Sequence, residues 1–213
     1  MRGTVNRFVL LALFGLALLS AGCGAAGSPS QPSGGSVIDV LGDSIGITPL
    51  PGAAYPTVLQ ARIAAASLPW TIRNRSVSGD TSAGGLARLD TVLADNPAIV
   101  VLELGGNDGL DGIAVNVIRS NLSEIVTRAK AHGVRVLLCG METFSTYGPG
   151  YAADFHDIFP GLAAQFSQPL VPFVLAGVAG NPNLTLGDLI HPNVEGAKVV
   201  ADNIWPYLEP MLR

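Results

Sequence analysis

Short apolar runs alternate with longer amphipathic segments along this chain, and that alternation limits what it can fold into. The runs at 37–41 (VIDVL), 70–77 (WTIRNRSV), 98–105 (AIVVLELG), 134–140 (VRVLLCG) and 170–174 (LVPFV) have strand length and strand composition. Between them, 54–68, 82–96, 116–133, 151–166 and 193–212 carry helical spacing. Val58, Ile63 and Ala66 should share one side of the first helix, and Leu86, Leu89 and Leu93 repeat in the second. The stripe of the third is Val117, Ile118, Leu122, Ile125 and Val126, with Gly133 fitting its C-terminus. The 151–166 segment is interrupted at Pro160. An alternating βα order of this kind predicts a mostly parallel sheet with helices on both faces. Strands apolar throughout agree, because central parallel strands are buried on both sides.

The first 36 residues do not belong to that core. Arg2 and Arg7 give a basic start, and 8–19 is an unbroken apolar run of signal-peptide length, shorter than the ~20 residues of a membrane-spanning helix. It ends in LLSAGC, which resembles a bacterial lipobox, with Ser20 where that pattern most often has Leu. The resemblance implies a signal peptide over 1–22 and a diacylglycerol on Cys23, enough for stable anchoring. Ordinary secretion is the alternative. Residues 23–36 are rich in Gly, Ser and Pro, lack large apolar side chains, and read as a flexible tether. The folded domain is expected over 37–213, on an exported, membrane-anchored protein facing the periplasm or the cell exterior.

Without Arg2 and Arg7, ten of the 12 basic residues face 16 acidic ones, a net charge of −6. Nucleic acid is not expected as a partner, since phosphate neutralisation needs a basic surface. With Cys23 assigned to the anchor, Cys139 stands alone in an apolar run as a buried thiol. No metal-ligand spacing and no glycine-rich phosphate loop follow a strand, so neither metal nor cofactor is expected.

Polar clusters sit where the strands end, the edge at which parallel α/β sheets bind ligands. Ser44 follows the first strand in VIDVLGDSIG, before what looks like a helix. Gly79 follows the second, Asn107 the third in LGGND, and GDLIHPN near the end of the chain holds Asp188 and His191. Each is ordinary alone. Ser44 suits a helix N-cap, Gly79 a turn, Asn107 a loop, and Asp188 with His191 a turn pair. Asp108 and Asp111 read as surface or capping groups. His132 reads as a solvated helix-end residue and His156 as a partly exposed one.

The blocks LGDSIG, YPTVLQAR, SGDTSAGGLARL, VVLELGGNDGL and DLIHPN occur in that mix across about 37–212, and in them the sequence resembles the SGNH (GDSL) hydrolases. It is most similar to their bacterial periplasmic thioesterase/lysophospholipase and arylesterase branch. The resemblance implies a flavodoxin-like, three-layer α/β/α sandwich on a five-stranded sheet. It implies hydrolysis of small ester, thioester or lipid substrates with Ser44 as nucleophile, His191 as base and Asp188 orienting the imidazole. The oxyanion hole would be the N–H groups of Ser44 and Gly79 with the side-chain amide of Asn107. Ile45, Phe144, Tyr147, Tyr151 and Phe155 are candidates for the wall of an acyl groove, although at least half of these aromatics are expected to pack a helix onto the sheet. Two rival readings stand beside it: a carbohydrate O-acetyl esterase of the same superfamily, and a non-catalytic lipoprotein that keeps the fold.

Overall fold

The computed structural model describes Met1 and residues 36–213. The leader, Cys23 and the tether as far as residue 35 lie outside the described residues. Strand β1 (Ser36–Gly42) is followed by α1 (Tyr55–Ala65), β2 (Trp70–Asn74), α2 (Ser82–Ala87), α3 (Leu89–Ala94) and β3 (Ile99–Glu103). Then come α4 (Gly106–Leu110), α5 (Val115–Ala131), β4 (Arg135–Cys139), α6 (Pro149–His156), α7 (Ile158–Phe166), β5 (Leu170–Val171) and α8 (Val194–Leu208). All neighbouring strands pair in parallel, in the order β2-β1-β3-β4-β5. The chain runs from β1 outward to β2 and then crosses back to β3 on the other side of β1. The crevice between the carboxyl ends of β1 and β3 is therefore the switch point where such sheets hold ligands.

Burial follows strand position. Every residue of β3 is buried, as are the last five of β1 and the last four of β4. Helices α1 and α8 pack together on one face, and α2, α5 and α7 on the other. The core-facing stripe of α5 is Ile118, Leu122, Ile125, Val126 and Ala129, each large aliphatic contributing roughly 1.5–3 kcal/mol by burial. Val117 is not part of it: one residue is a 100° turn, and Val117 is 44% exposed. On α1 the buried set is Tyr55, Leu59 and Ile63 rather than Val58 and Ala66. Helix α5 stops at Gly133, whose φ of +74° lets its N–H reach the Lys130 carbonyl while that of Val134 reaches Ala129.

Several elements are shorter than periodicity predicts, for local reasons. Strand β2 ends at Asn74, whose side chain accepts from the Ser76 N–H at 3.1 Å and donates to the Gly46 carbonyl at 2.7 Å, turning the chain out of the sheet. The 82–96 helix breaks in two at Arg88, whose guanidinium is drawn to Asp80 at 2.7 Å and to the carbonyls of Arg75 and Gly42. The 151–166 segment breaks at Asp157, not Pro160. Pro160 falls in the first turn of α7, where a missing N–H costs no helical bond. Strand β5 is two residues long because Pro172 has no N–H to continue the ladder.

Candidate active site

Ser44 lies just beyond the end of β1, in a single 3₁₀ turn, Ser44–Gly46, and not at the start of a long helix. The cap of that turn is Asp43, whose carboxylate accepts the Ile45 N–H at 2.9 Å. Ser44 is thus freed from the capping role its residue type suggests. Its Oγ is 2.8 Å from Nε2 of His191, across 147 positions of sequence. The Nδ1 of His191 is 2.6 Å from Oδ2 of Asp188. An imidazole held between a hydroxyl and a carboxylate in this way can take the hydroxyl proton and share the resulting charge with the acid.

The loop between β5 and α8 builds its half of this arrangement from local bonds. Asp188 Oδ1 accepts the N–H groups of both Ile190 and His191 at 2.9 Å. Burial alone pushes the Asp188 carboxyl upward, but those two N–H bonds and the His191 ring outweigh it and hold it below its ordinary value. Asp188 is therefore a carboxylate at neutral pH. Leu189 between them takes a left-handed backbone with φ of +65°, and its carbonyl accepts the Gly180 N–H at 2.8 Å.

Asn107 sits in α4, directly after β3, where Gly105 at φ +110° turns the chain sharply. Its Nδ2 donates to the Asp80 carbonyl at 2.7 Å and to Asp43 Oδ2 at 3.2 Å. Gly79 precedes Asp80 in the same loop; it is exposed, has φ of +75°, and no atom lies within 4 Å of where a Cβ would stand. The loop after β2 therefore abuts Asn107, with an open backbone beside it.

Ser44, His191, Asn107 and Asp43 all face one cavity of ≈ 320 Å³. Its walls are mainly apolar: Ile45, Leu110, Met141, Phe144, Phe173 and Ile190 among them. Ile45 and Phe144, two of the candidate wall residues, line this cavity. Tyr147, Tyr151 and Phe155 do not line the cavity. Phe155 is fully buried, stacked on Tyr151 and edge-to-face with Phe159, with centroids 6.2 and 5.8 Å away. Tyr147 and Tyr151 donate their hydroxyls to the carbonyls of Leu110 at 3.1 Å and Ile113 at 2.7 Å, bracing the α4–α5 loop from behind. Met141, Phe173 and Leu175 escaped the sequence reading, although they too follow strand ends. Asp108 is a further correction. It is buried, and it accepts the Ser82 N–H at 2.8 Å and the Ser82 hydroxyl, tying α4 to α2.

The remaining reactive groups lie elsewhere. Cys139 is buried, and burial, then the nearby Glu103, pushes its thiol up. His132 ends α5 in solvent. His156 is exposed and paired with Glu142 at 2.6 Å, a bond that raises its pKa.

A doubly wound parallel sheet with a Ser–His–Asp chain at the mouth of an apolar cavity defines a serine hydrolase scaffold. Residues 40–199 match the model of the GDSL-like Lipase/Acylhydrolase family, and the chain belongs to that family. Over 201 residues it is 41% identical to the esterase TesA of Pseudomonas aeruginosa, covering 92% of this chain and 99% of that one. It is 36% identical over 176 residues to the thioesterase 1/protease 1/lysophospholipase L1 of Escherichia coli K12, covering 81% and 83%. A crystal structure of TesA superposes with a TM-score of 0.78 over 83% of this chain and 99% of that one.

Proposed function

We propose that the protein hydrolyses carboxylic esters and thioesters of apolar acyl groups, with Ser44, His191 and Asp188 carrying the reaction. One observation carries this reading: the Ser44–His191–Asp188 hydrogen-bond chain opens onto a largely apolar cavity beyond the sheet. In the first step Ser44 Oγ attacks the acyl carbonyl carbon as its proton passes to His191 Nε2. Asp188 holds the ring in the tautomer that leaves Nε2 free to accept. The carbonyl oxygen becomes an oxyanion, met by the N–H groups of Ser44 and Gly79 and the Asn107 amide. Collapse expels the alcohol or thiol, which takes the proton from His191. Water then attacks the acyl-enzyme by the same route, releasing the acid and restoring Ser44. That one relative is named an esterase and another a thioesterase/lysophospholipase supports the substrate class.

The test is a series of p-nitrophenyl and acyl-CoA esters of increasing chain length on the 37–213 domain, with fluorophosphonate labelling. Turnover and labelling that are both lost in Ser44→Ala are expected. Turnover confined to acetylated sugars would replace the reading with a carbohydrate esterase, and well-folded protein that neither turns over nor labels would end it.

We infer also that the protein is exported and anchored through Cys23, with 1–22 removed, 23–36 as tether and 37–213 as the hydrolase domain. The lipobox-like LLSAGC supports this. Mass spectrometry of membrane-fraction protein should find a diacylated N-terminal Cys23, and Cys23→Ser should release the protein. An unacylated mature N-terminus would leave secretion without an anchor.

A further inference from the structure

Glu103 closes β3 with its side chain fully buried, in register with Gly42 of β1. Gly42 leaves open the space that the Glu103 carboxyl fills: a Cβ there would stand 2.5 Å from Glu103 Oε2. Through that opening Oε2 accepts the Asp43 N–H at 3.4 Å. Asp43, itself 2% exposed, is the hub of the turn above. Its Oδ1 accepts the Ile45 N–H at 2.9 Å, which closes the turn around Ser44, and its Oδ2 accepts Asn107 Nδ2 at 3.2 Å. The backbone N–H of Ser44 and the amide of Asn107 therefore take their direction from one carboxylate, which stands on a second carboxyl group.

We propose that Glu103 is a positioning residue for the oxyanion hole, acting through Asp43. The inference rests on the esterase reading above. Asn107 donates one amide hydrogen to the Asp80 carbonyl at 2.7 Å and the other, at the longer 3.2 Å, to Asp43. The longer bond is the one an oxyanion can share as it forms. Sharing works only if the Asp43 carboxylate stays where it is. Glu103 supplies that hold from beneath. Two buried carboxyls this close do not both ionise. Burial, then Asp43, pushes Glu103 well above its ordinary value, whereas burial lifts Asp43 to about 6. Glu103, the group beneath, is thus the one of the pair that keeps its proton, and the single charge sits on Asp43, next to Asn107.

The test compares Glu103→Gln, Glu103→Leu and Gly42→Ala with wild type on one p-nitrophenyl ester. Donors to an oxyanion act in the transition state, so their misalignment lowers kcat and spares KM. Glu103→Leu keeps the volume and loses the acceptor; a drop in kcat of roughly 10–100-fold with KM within about threefold is expected. Gly42→Ala should reproduce that pattern by displacing the carboxyl, and it decides the matter if Glu103→Leu does not fold. Glu103→Gln, neutral and still able to accept from the Asp43 N–H, should restore kcat to within about threefold of wild type. Wild-type kcat in folded Glu103→Leu or Gly42→Ala would overturn the proposal. So would a Gln variant as slow as the Leu variant, or losses confined to melting temperature and KM. A wild-type protein with no ester turnover at all would instead mark failure of the esterase reading.

Discussion

Ser44 Oγ and His191 Nε2 lie 2.8 Å apart, although 147 positions separate them in the chain. Neither residue is held there by its partner. Ser44 is set by the turn that Asp43 caps, and His191 by the two N–H bonds that its own loop makes to Asp188. The pair is therefore preorganised, and loss of one member should not disturb the other. His191→Ala is expected to lower kcat by about 10⁴-fold or more with little change in melting temperature, as measured on a short-chain p-nitrophenyl ester with a parallel thermal melt. A loss below tenfold would remove His191 from the role of base.

Asp188 has two tasks that one substitution separates. Asp188→Asn keeps an oxygen for the N–H groups of Ile190 and His191 but can turn its NH₂ toward Nδ1, which favours the wrong tautomer. A fall in kcat of about 10²–10⁴-fold is expected, with the loop still ordered. The check is kcat beside the His191 ring signals in an NMR spectrum: activity near wild type would mean that the carboxylate does not orient the ring.

The cavity wall is expected to set acyl-chain preference. Each methylene of an acyl chain laid against Leu110, Met141, Phe173 and Ile190 leaves water for apolar surface, worth ~0.8 kcal/mol, or roughly fourfold in kcat/KM. The ratio should climb with chain length and level off once the cavity is filled. Ala179 is exposed and lines the same cavity, so Ala179→Phe should bring the plateau forward by a few carbons while leaving the acetyl ester unaffected. A chain-length profile unchanged by that substitution would take Ala179 out of the acyl site.

Leu189 sits at φ +65° and is 43% exposed, so its strain is not repaid by full burial. A branched residue in the left-handed region costs roughly 1–2 kcal/mol, and Asn tolerates it better. Leu189→Asn should raise the melting temperature by about 1–4 °C, given roughly 2–4 °C per kcal/mol for a domain of this size. A lower melting temperature would show that the leucine side chain contributes more by packing than its backbone costs.

Stability should fall as pH rises above the acid range, and Glu103 should be part of the cause. Its pKa lies well above the ordinary 4.5, by burial first and then by Asp43. The folded chain keeps that proton after the unfolded chain has released its own, so unfolding above pH 4.5 sheds a proton. One such proton lowers stability by about 1.4 kcal/mol per pH unit until the folded group itself titrates. Glu103→Gln has no proton to shed, and its denaturant midpoint should decline less steeply from about pH 5 to about pH 7. Parallel declines in the two proteins would mean that Glu103 is ionised in the fold.

The sequence by itself determined the alternation of strands and helices, and with it which edge of the sheet would carry the chemistry. Those features are local: burial on both faces makes β3 apolar as far as its closing Glu103, and a parallel strand must end in a loop. Ser44 and Asn107 could be picked out because they fall at those ends, and Asp188 and His191 because they stand together in the last long loop, all in motifs resembling a known family. The tertiary structure alone decided which side chains face the cavity. Tyr147 and Tyr151 look like pocket walls in sequence, yet they stand behind the α4–α5 loop, while Phe173 and Leu175 reach the cavity from the far edge of the sheet. It alone decided too that Asp108 is buried and that Glu103, read only as part of an apolar strand, sits beneath the nucleophile's turn. Such roles depend on the direction a side chain takes and on which distant loop meets it. Strand order and packing across more than a hundred residues set both, and no periodicity along the chain records them.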